Sequence, residues 1–249
     1  MTKNLPSKSV PAPLHDPLAE VYADRITTSV HARRSVSAHN AALIVIDVQY
    51  LDAARGHGVF KEGEKANEHP EDNEYYFSRL EQTVLPNIRR AQDAFRMRDL
   101  EVIHTRIMSL TRDGRDRSGG HKRLGLHAAP DSKEAQFIEA VAPQGDEIVI
   151  NKTASGVFTS TNLAYVLRNL EITSLFVAGV YTNECVSTTV RDACDIGFHT
   201  TLLEDACATV TPQLQENTIA VLRDRYARIQ TVDEMLSELQ LLLPRAERV

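Results

Sequence analysis

Short apolar runs alternate with amphipathic segments along most of this chain. The continuous apolar run at residues 41–46 is typical of a strand buried on both faces of a parallel sheet. The same criteria predict strands at residues 41–46, 100–105, 147–151, 175–179, 199–204 and 227–230. Apolar positions at helical spacing predict helices at residues 77–95, 161–170, 186–193, 212–226 and 232–242. The alternation predicts an α/β fold with three α/β/α layers around a six-stranded, mostly parallel, doubly wound sheet.

Residues 1–40 interrupt this alternation. They contain three prolines by position 13, mixed charges and no sustained period, which predicts an N-terminal arm with at most one short helix, near residues 18–25. Such an arm packs on its own domain, packs on a neighbouring subunit or is disordered, and these alternatives stay open. Residues 41–249 are predicted to form one domain, because no repeat or linker divides them.

Composition narrows the class of protein. Among 249 residues, 28 Lys and Arg stand against 34 Asp and Glu, and the net charge of -6 gives no basic footprint for nucleic acid. The apolar run at 41–46 is too short to span a bilayer, and the first residues lack a hydrophobic signal core. We therefore expect a cytoplasmic protein with no membrane or nucleic-acid partner. Three cysteines without a CxxC pair favour reduced thiols over disulfides or a zinc site.

Cys185 occupies a strand-to-helix junction. The apolar strand at 175–179 ends in a polar turn, and apolar residues recur at helical spacing from Val186 onwards. Unpaired backbone N–H groups and the positive end of the helix dipole favour a thiolate in the first turn of a helix. Cys185 is therefore a candidate nucleophile, although a small buried residue that packs the junction explains the same pattern.

Two more reactive side chains are predicted at the same edge of the sheet. Asp47 follows the first strand and Lys152 follows the third, while Cys185 follows the fourth. Ligands of such sheets bind beyond the carboxyl ends of the strands. A carboxylate that takes the thiol proton and an ammonium that stabilises both anions would activate the cysteine. Together the three residues favour a nucleophilic site over three unrelated structural roles.

Three motifs carry a family resemblance. They read Ile-Val-Ile-Asp47-Val-Gln, Asn-Lys152-Thr-Ala-Ser-Gly-Val-Phe158 and Gly179-Val-Tyr-Thr-Asn-Glu-Cys185-Val. In these motifs, and in their order between about residues 41 and 231, the chain resembles the isochorismatase-like cysteine hydrolases. The resemblance implies a catalytic triad in which Cys185 attacks an amide-type carbonyl, Asp47 shuttles the proton and Lys152 supports both.

The resemblance also implies a role for the turn before Cys185. Members of the family carry a cis, non-proline peptide bond there, which corresponds to the bond between Val180 and Tyr181. This bond would direct the backbone N–H of Tyr181 alongside that of Cys185, so that the two donors form an oxyanion hole.

The family resemblance also bears on whether the site holds a metal ion. Nicotinamidase-type relatives hold a divalent ion with an Asp and histidines placed soon after the first strand, and Asp52 with His57 is the only local candidate. A third ligand at matching spacing is absent. His104, at the end of the second predicted strand, is better explained as a satisfied polar residue. We predict a site with no metal and no cofactor.

Candidate substrate-binding residues are chosen by position. Gln49 lies on the same side of an extended chain as Asp47, and a loop-organising hydrogen bond explains it equally well. Phe158 and Tyr181 could wall the pocket, and Arg225 is a further candidate. A polar loop at 109–135 carries a cationic cluster from which one arginine could clamp a carboxylate: Arg112, Arg115, Arg117, His121, Lys122 and Arg123. Cys194 and Cys207 are interpreted as structural.

These observations predict a hydrolase of linear amides that cleaves a C–N bond through an acyl-enzyme on Cys185 and releases ammonia or an amine. The hydrophilic loops at 50–76 and 109–135 and the lack of Trp favour a small linear carbamoyl or ureido substrate, such as biuret, triuret, ureidoacrylate or an N-carbamoyl amino acid. The alternatives are a nicotinamidase or other simple amidase, and a catalytically idle scaffold protein. The resemblance also implies a homo-oligomer, with a tetramer favoured.

Overall fold

The six predicted strands form one parallel sheet. The computed structural model describes residues 16–28 and 40–240, and within them the strand order is β3-β2-β1-β4-β5-β6. The strands are β1 (Ala41–Ile46), β2 (Glu101–Ile107), β3 (Ile148–Lys152), β4 (Ser174–Val180), β5 (His199–Ala208) and β6 (Arg228–Gln230). The predicted doubly wound α/β sheet is confirmed.

Helices cover both faces of this sheet. The α-helices are α1 (Ala19–Thr28), α2 (Tyr50–Ala53), α3 (Glu74–Arg79), α4 (Leu85–Arg96), α5 (Gly119–Leu124), α6 (Val157–Ser160), α7 (Leu163–Asn169), α8 (Ser187–Asp195), α9 (Pro212–Leu222) and α10 (Val232–Gln240). A π-helical turn at Leu80–Val84 joins α3 to α4, and another at Thr182–Val186 precedes α8. Short 3-10 turns lie at Gly58–Phe60, Lys65–Asn67, Pro70–Asn73, Lys133–Ala135 and Glu139–Val141.

The central strand β1 explains the three layers. Its side chains point alternately to the two faces, and all six residues are buried. Leu43 and Val45 belong to a core shared with α4 and α10, whereas Ala42 and Ile44 belong to a core shared with α7, α8 and α9. The continuous apolar run is therefore required because both faces of the strand are covered by helices.

Several element ends differ from the prediction. Strand β5 continues to Ala208, and helix α9 ends at Leu222 rather than at 226. The polar pair Glu204 and Asp205 breaks the apolar pattern of β5, but the strand continues because Arg79 and Asn87 donate side-chain hydrogen bonds to their carbonyl oxygens. The predicted helix in the arm is present as α1. The rest of the predicted arm and the last residues of the predicted C-terminal helix lie outside the described residues.

Gly179 allows β4 to lie against the end of β1. Its φ angle is +121°, and a Cβ atom at this position would lie 2.1 Å from the carbonyl oxygen of Ile46. Only glycine tolerates this close approach of two backbones. As a result, the turn that follows β4 begins directly beside Asp47, the residue after β1.

No helix in residues 16–28 and 40–240 is long and apolar enough to cross a membrane. The predicted homo-oligomer stays a prediction.

Candidate active site

Asp47, Lys152 and Cys185 meet at the carboxyl edge of the sheet. The Lys152 Nζ atom lies 2.7 Å from Asp47 Oδ2 and 3.3 Å from Cys185 Sγ. The side chains of Lys152 and Asp47 are 0% and 1% exposed, and Cys185 is buried as well. The structure therefore brings the three residues of the predicted triad into direct contact.

Neighbouring strands hold the two charged members in place. Asp47 has a left-handed φ of +53°, its backbone N–H donates to the Thr105 carbonyl oxygen, and the Thr105 hydroxyl donates to Asp47 Oδ1 at 3.0 Å. Lys152 is the last residue of β3, and its ammonium also donates to the Ala154 carbonyl oxygen at 3.0 Å. These contacts fix the carboxylate and the ammonium before any substrate arrives.

Burial and neighbouring charges shift the pKa values of Lys152 and Cys185. Burial alone would lower the pKa of Lys152, but the charges of Asp47 and Cys185 outweigh burial and raise it. Burial raises the pKa of the Cys185 thiol, the charges of Asp47 and Asp52 raise it further, and Lys152 lowers it only in part. Burial and the nearby acids therefore oppose ionisation of the Cys185 thiol, whereas the Lys152 ammonium favours it. The direction of the shift is opposite to the one expected from the helix terminus.

The turn that presents Cys185 is anchored by side chains from other elements. The predicted cis peptide bond between Val180 and Tyr181 is present. The Thr182 hydroxyl donates to Gln215 Oε1 of α9 at 2.7 Å, and the Thr209 hydroxyl donates to Asn183 Oδ1. The sequence offered no signal for these two pairs, since their members are 33 and 26 residues apart in the chain.

Cys185 opens onto a cavity of about 510 Å³. Both long loops contribute to its walls. The lining residues are Asp52, Val59, Phe60, Lys65, Ala66, His69, Asp72, Asn73, Ile107, Leu124, Leu126, Val180, Tyr181, Glu184, Cys185, Thr209, Val210 and Thr211. The loops are hydrophilic in composition, but half of the lining residues are apolar or aromatic. Apolar side chains of these loops, among them Val59, Phe60 and Leu124, thus contribute to the walls of the cavity.

Of the predicted substrate-binding residues, Tyr181 lines the cavity and Gln49 does not. The Gln49 amide donates to the carbonyl oxygens of Ile107 and Glu134 at 2.9 and 2.8 Å, and its oxygen accepts from the Ile107 N–H at 2.6 Å. These bonds occupy both ends of the amide. Gln49 therefore has the other role considered for it, the organisation of a loop.

Phe158 and Arg225 are also placed away from the cavity, which corrects both assignments. Phe158 stacks on Phe198 at 5.9 Å between ring centroids. The Arg225 guanidinium pairs with Asp16 at 2.8 Å and lies over the Tyr22 ring. None of the six residues of the cationic cluster lines the cavity in the described part of the chain.

The histidines considered as ligands contact carboxylates instead. His104 Nε2 lies 2.9 Å from Glu147 Oε2, which agrees with its interpretation as a paired polar residue, although its Nδ1 has no hydrogen-bond partner among the described residues. His57 Nδ1 is 3.9 Å from Glu134 Oε1. Within residues 16–28 and 40–240, no group of three or more His, Cys, Asp or Glu side chains could hold a metal ion.

His121 is a buried histidine that the sequence did not distinguish within its cluster. It is 1% exposed, and neither ring nitrogen has a hydrogen-bond partner among the residues described. Burial lowers its pKa to about 4, and the Lys152 charge acts in the same direction. His121 is therefore neutral at neutral pH.

We expect acid to destabilise the fold through His121. Below the ordinary histidine pKa of about 6.5, His121 binds a proton in the unfolded chain but not in the folded chain. The free energy of unfolding therefore falls as the pH drops from about 6.5 to 4. The His121 contribution to this loss is about 3 kcal/mol. Denaturant unfolding at several pH values should show a smaller loss for His121→Leu than for the unmodified chain. The exposed His69, replaced by Gln, serves as control; equal pH slopes for all three proteins would contradict the assignment.

The chain belongs to the isochorismatase domain family, whose model matches residues 41–234. The uncharacterized isochorismatase family protein YrdC of Bacillus subtilis (strain 168) is 35% identical over 111 residues, which cover 40% of this chain and 59% of YrdC. N-carbamoylsarcosine amidase of Arthrobacter sp is 27% identical over 169 residues, 65% of this chain and 63% of the amidase. The matches thus span less than two thirds of these two relatives.

A solved structure agrees with the fold. The cysteine hydrolase from Pseudomonas syringae pv. phaseolicola 1448A superposes with a TM-score of 0.70 at 22% identity and covers 84% of this chain and 96% of that chain. This likeness supports the fold, and the match of the family model confirms the family expected from the three motifs.

Proposed function

We propose that this protein is a cysteine amidohydrolase that cleaves a C–N bond of a linear amide. One observation carries the proposal: the Lys152 ammonium bridges Asp47 and Cys185 in a buried site whose thiol opens onto a cavity. A base, a counter-charge and a sheltered nucleophile are the parts that acyl transfer to a cysteine requires.

In the first half-reaction, the Cys185 thiol gives its proton to Asp47 as Sγ forms a bond to the substrate carbonyl carbon. The carbonyl oxygen becomes an oxyanion. When the oxyanion collapses, the C–N bond breaks, and the proton on Asp47 passes to the leaving nitrogen to release ammonia or an amine. Lys152 compensates the negative charge on Asp47 and on sulfur in turn, so the buried site never holds two uncompensated anions.

In the second half-reaction, water attacks the thioester and gives a proton to Asp47. The C–S bond then breaks, the acid is released, and the proton returns to sulfur. The backbone N–H groups of Tyr181 and Cys185 are proposed as the oxyanion hole for both tetrahedral intermediates, because they flank the turn that carries the nucleophile. Lys152 keeps its position throughout.

We propose a small linear carbamoyl or ureido compound as the substrate. The similarity to the N-carbamoylsarcosine amidase of Arthrobacter sp supports this class. The apolar side chains of the cavity, including Val59, Phe60 and Leu124, favour a second candidate, a nicotinamidase or other simple amidase that accepts an apolar group.

Ammonia release from a substrate panel tests the function. The panel contains biuret, triuret, ureidoacrylate, N-carbamoylsarcosine and nicotinamide. We expect turnover of at least one ureido compound. Turnover of nicotinamide alone would favour the second candidate, and no release from any compound, together with no selective alkylation of Cys185 by iodoacetamide, would favour the idle scaffold.

A further inference from the structure

One wall of the cavity beside the nucleophile carries two carboxyl groups. Asp52, in α2, is 4% exposed and lines the cavity. Its Oδ2 atom is buried and has no hydrogen-bond partner in the part of the chain that the structure describes. Glu184 precedes Cys185 in the turn and lines the same cavity. The two acids thus come from different elements, α2 and the turn before α8, and both line the cavity onto which Cys185 opens.

The fold compensates the charge of this wall only in part, through Lys152. Lys152, the buried cation, is already held between Asp47 and Cys185. The basic lining residues are Lys65 and His69, which lie exposed on the loop at 65–73, and no arginine is among the lining residues in the described chain. A substrate carboxylate beside Asp52 and Glu184 would therefore meet two acids, while the nearest positioned cation, Lys152, is already engaged by Asp47 and Cys185.

The unpaired carboxyl of Asp52 points to a missing partner. Buried polar atoms in folded proteins are almost always hydrogen-bonded, and an unpaired one marks strain, a catalytic role or the place of a water or an ion. Burial, followed by the charge of Asp47, raises the pKa of Asp52 well above its ordinary value. A cation or an N–H donor at this position would remove the free-energy cost of burying the Asp52 carboxyl group without a partner.

The main chain of Asp52 also has a structural role, which is distinct from the ligand role of its carboxyl group. Its backbone carbonyl oxygen accepts hydrogen bonds from the hydroxyls of Tyr76 and Tyr181, at 2.7 and 3.0 Å. Those bonds use the main chain and fix α2 against the turn of Cys185. The carboxyl group is not needed for them, so a change confined to the carboxyl group tests the ligand role alone.

We propose that Asp52 and Glu184 form the subsite for the non-scissile end of the substrate, and that this subsite takes an ammonium, amidinium or guanidinium group rather than a carboxylate. The inference rests on the proposed amidohydrolase function and narrows its substrate class. Among ureido compounds it favours cationic members over N-carbamoyl amino acids and ureidoacrylate. The apolar side of the cavity would then contact the carbon skeleton between the two polar ends.

Three ureas of similar size test the subsite. They are (2-aminoethyl)urea, propylurea and 3-ureidopropionate, which carry a cation, no charge and a carboxylate at neutral pH. We expect kcat/KM for the cation to exceed that for the neutral compound by about tenfold, since a hydrogen bond between charged partners is worth that much. The carboxylate should be the poorest of the three. A carboxylate handled as well as or better than the cation would overturn the proposal while leaving the amidohydrolase function in place.

Isosteric variants assign the selectivity to these residues. Asp52→Asn should reduce the preference for the cation about tenfold, and Glu184→Gln about fivefold, because Glu184 is more exposed. The matched control is Asp195→Asn, an exposed acid at the far end of α8 whose replacement changes the net charge equally. Variants that slow all three ureas by the same factor would assign Asp52 and Glu184 a structural role and overturn the subsite.

Measurements of affinity test the proposed subsite independently of catalysis. Calorimetric titration of the Cys185→Ala variant with the three ureas measures affinity without turnover. Tighter binding of (2-aminoethyl)urea than of 3-ureidopropionate, lost in the Asp52→Asn double variant, supports the subsite even if no urea is hydrolysed. Equal affinities, or tighter binding of the carboxylate, overturn it whatever the catalytic result.

Discussion

Replacement of Cys185 by Ala is expected to lower the rate of ammonia release by about 10⁴-fold or more, because no other group of the site can form the acyl bond. Cys185→Ser should be nearly as inactive, since a hydroxyl is a much poorer nucleophile than a thiol under the same base. Steady-state ammonia release under the best substrate of the panel measures both variants.

The other cysteines provide the control for this result. Cys194 lies half-buried on α8, and Cys207 is buried in β5. Cys194→Ala should retain activity and should be no less sensitive to iodoacetamide than the unmodified enzyme. If Cys185→Ala keeps more than about a hundredth of the rate, another residue is the nucleophile, because general acid-base help alone is worth a factor of that order.

Loss of Asp47 should have the second-largest effect on activity. Asp47→Asn removes the group that accepts the thiol proton, and we expect kcat to fall about 10³-fold. The same change leaves the Lys152 ammonium buried without its 2.7 Å partner. The free energy of unfolding should therefore also fall, by about 3 kcal/mol or more.

A double variant separates the two effects. In Asp47→Asn combined with Lys152→Met, the uncompensated charge is gone, so stability measured by denaturant unfolding should recover in large part. Activity should not recover, because both the base and the counter-charge are missing. If activity returned together with stability, the Asp47–Lys152 pair would have a structural role only.

The elements that the sequence predicted well are those whose pattern is local. The apolar run of β1 identified a strand covered on both faces, and the positions of Asp47, Lys152 and Cys185 at strand ends placed them at one edge of the sheet. In a parallel sheet the carboxyl ends of all strands lie at the same edge, so the strand assignments alone were enough to place the three groups at that edge.

The features that the sequence did not predict depend on contacts between distant residues or on loop conformation. Gln49 is bound by Ile107 and Glu134, which are 58 and 85 residues away. Val59 and Leu124 line the cavity from the two loops, and loops have no period that would indicate which residues face a cavity. Nor could the pKa direction of Cys185 be deduced from its place in a turn, since it follows from burial and neighbouring acids.

The covalent intermediate provides the most direct test of the account. Turnover of the best ureido or amide substrate is quenched with acid, and the digested peptides are mapped by mass spectrometry. We expect to find the acyl group of the substrate on the peptide that contains Cys185, and to find no adduct in the Cys185→Ala variant. An adduct on Cys194 or Cys207, or full turnover by Cys185→Ala, would contradict it.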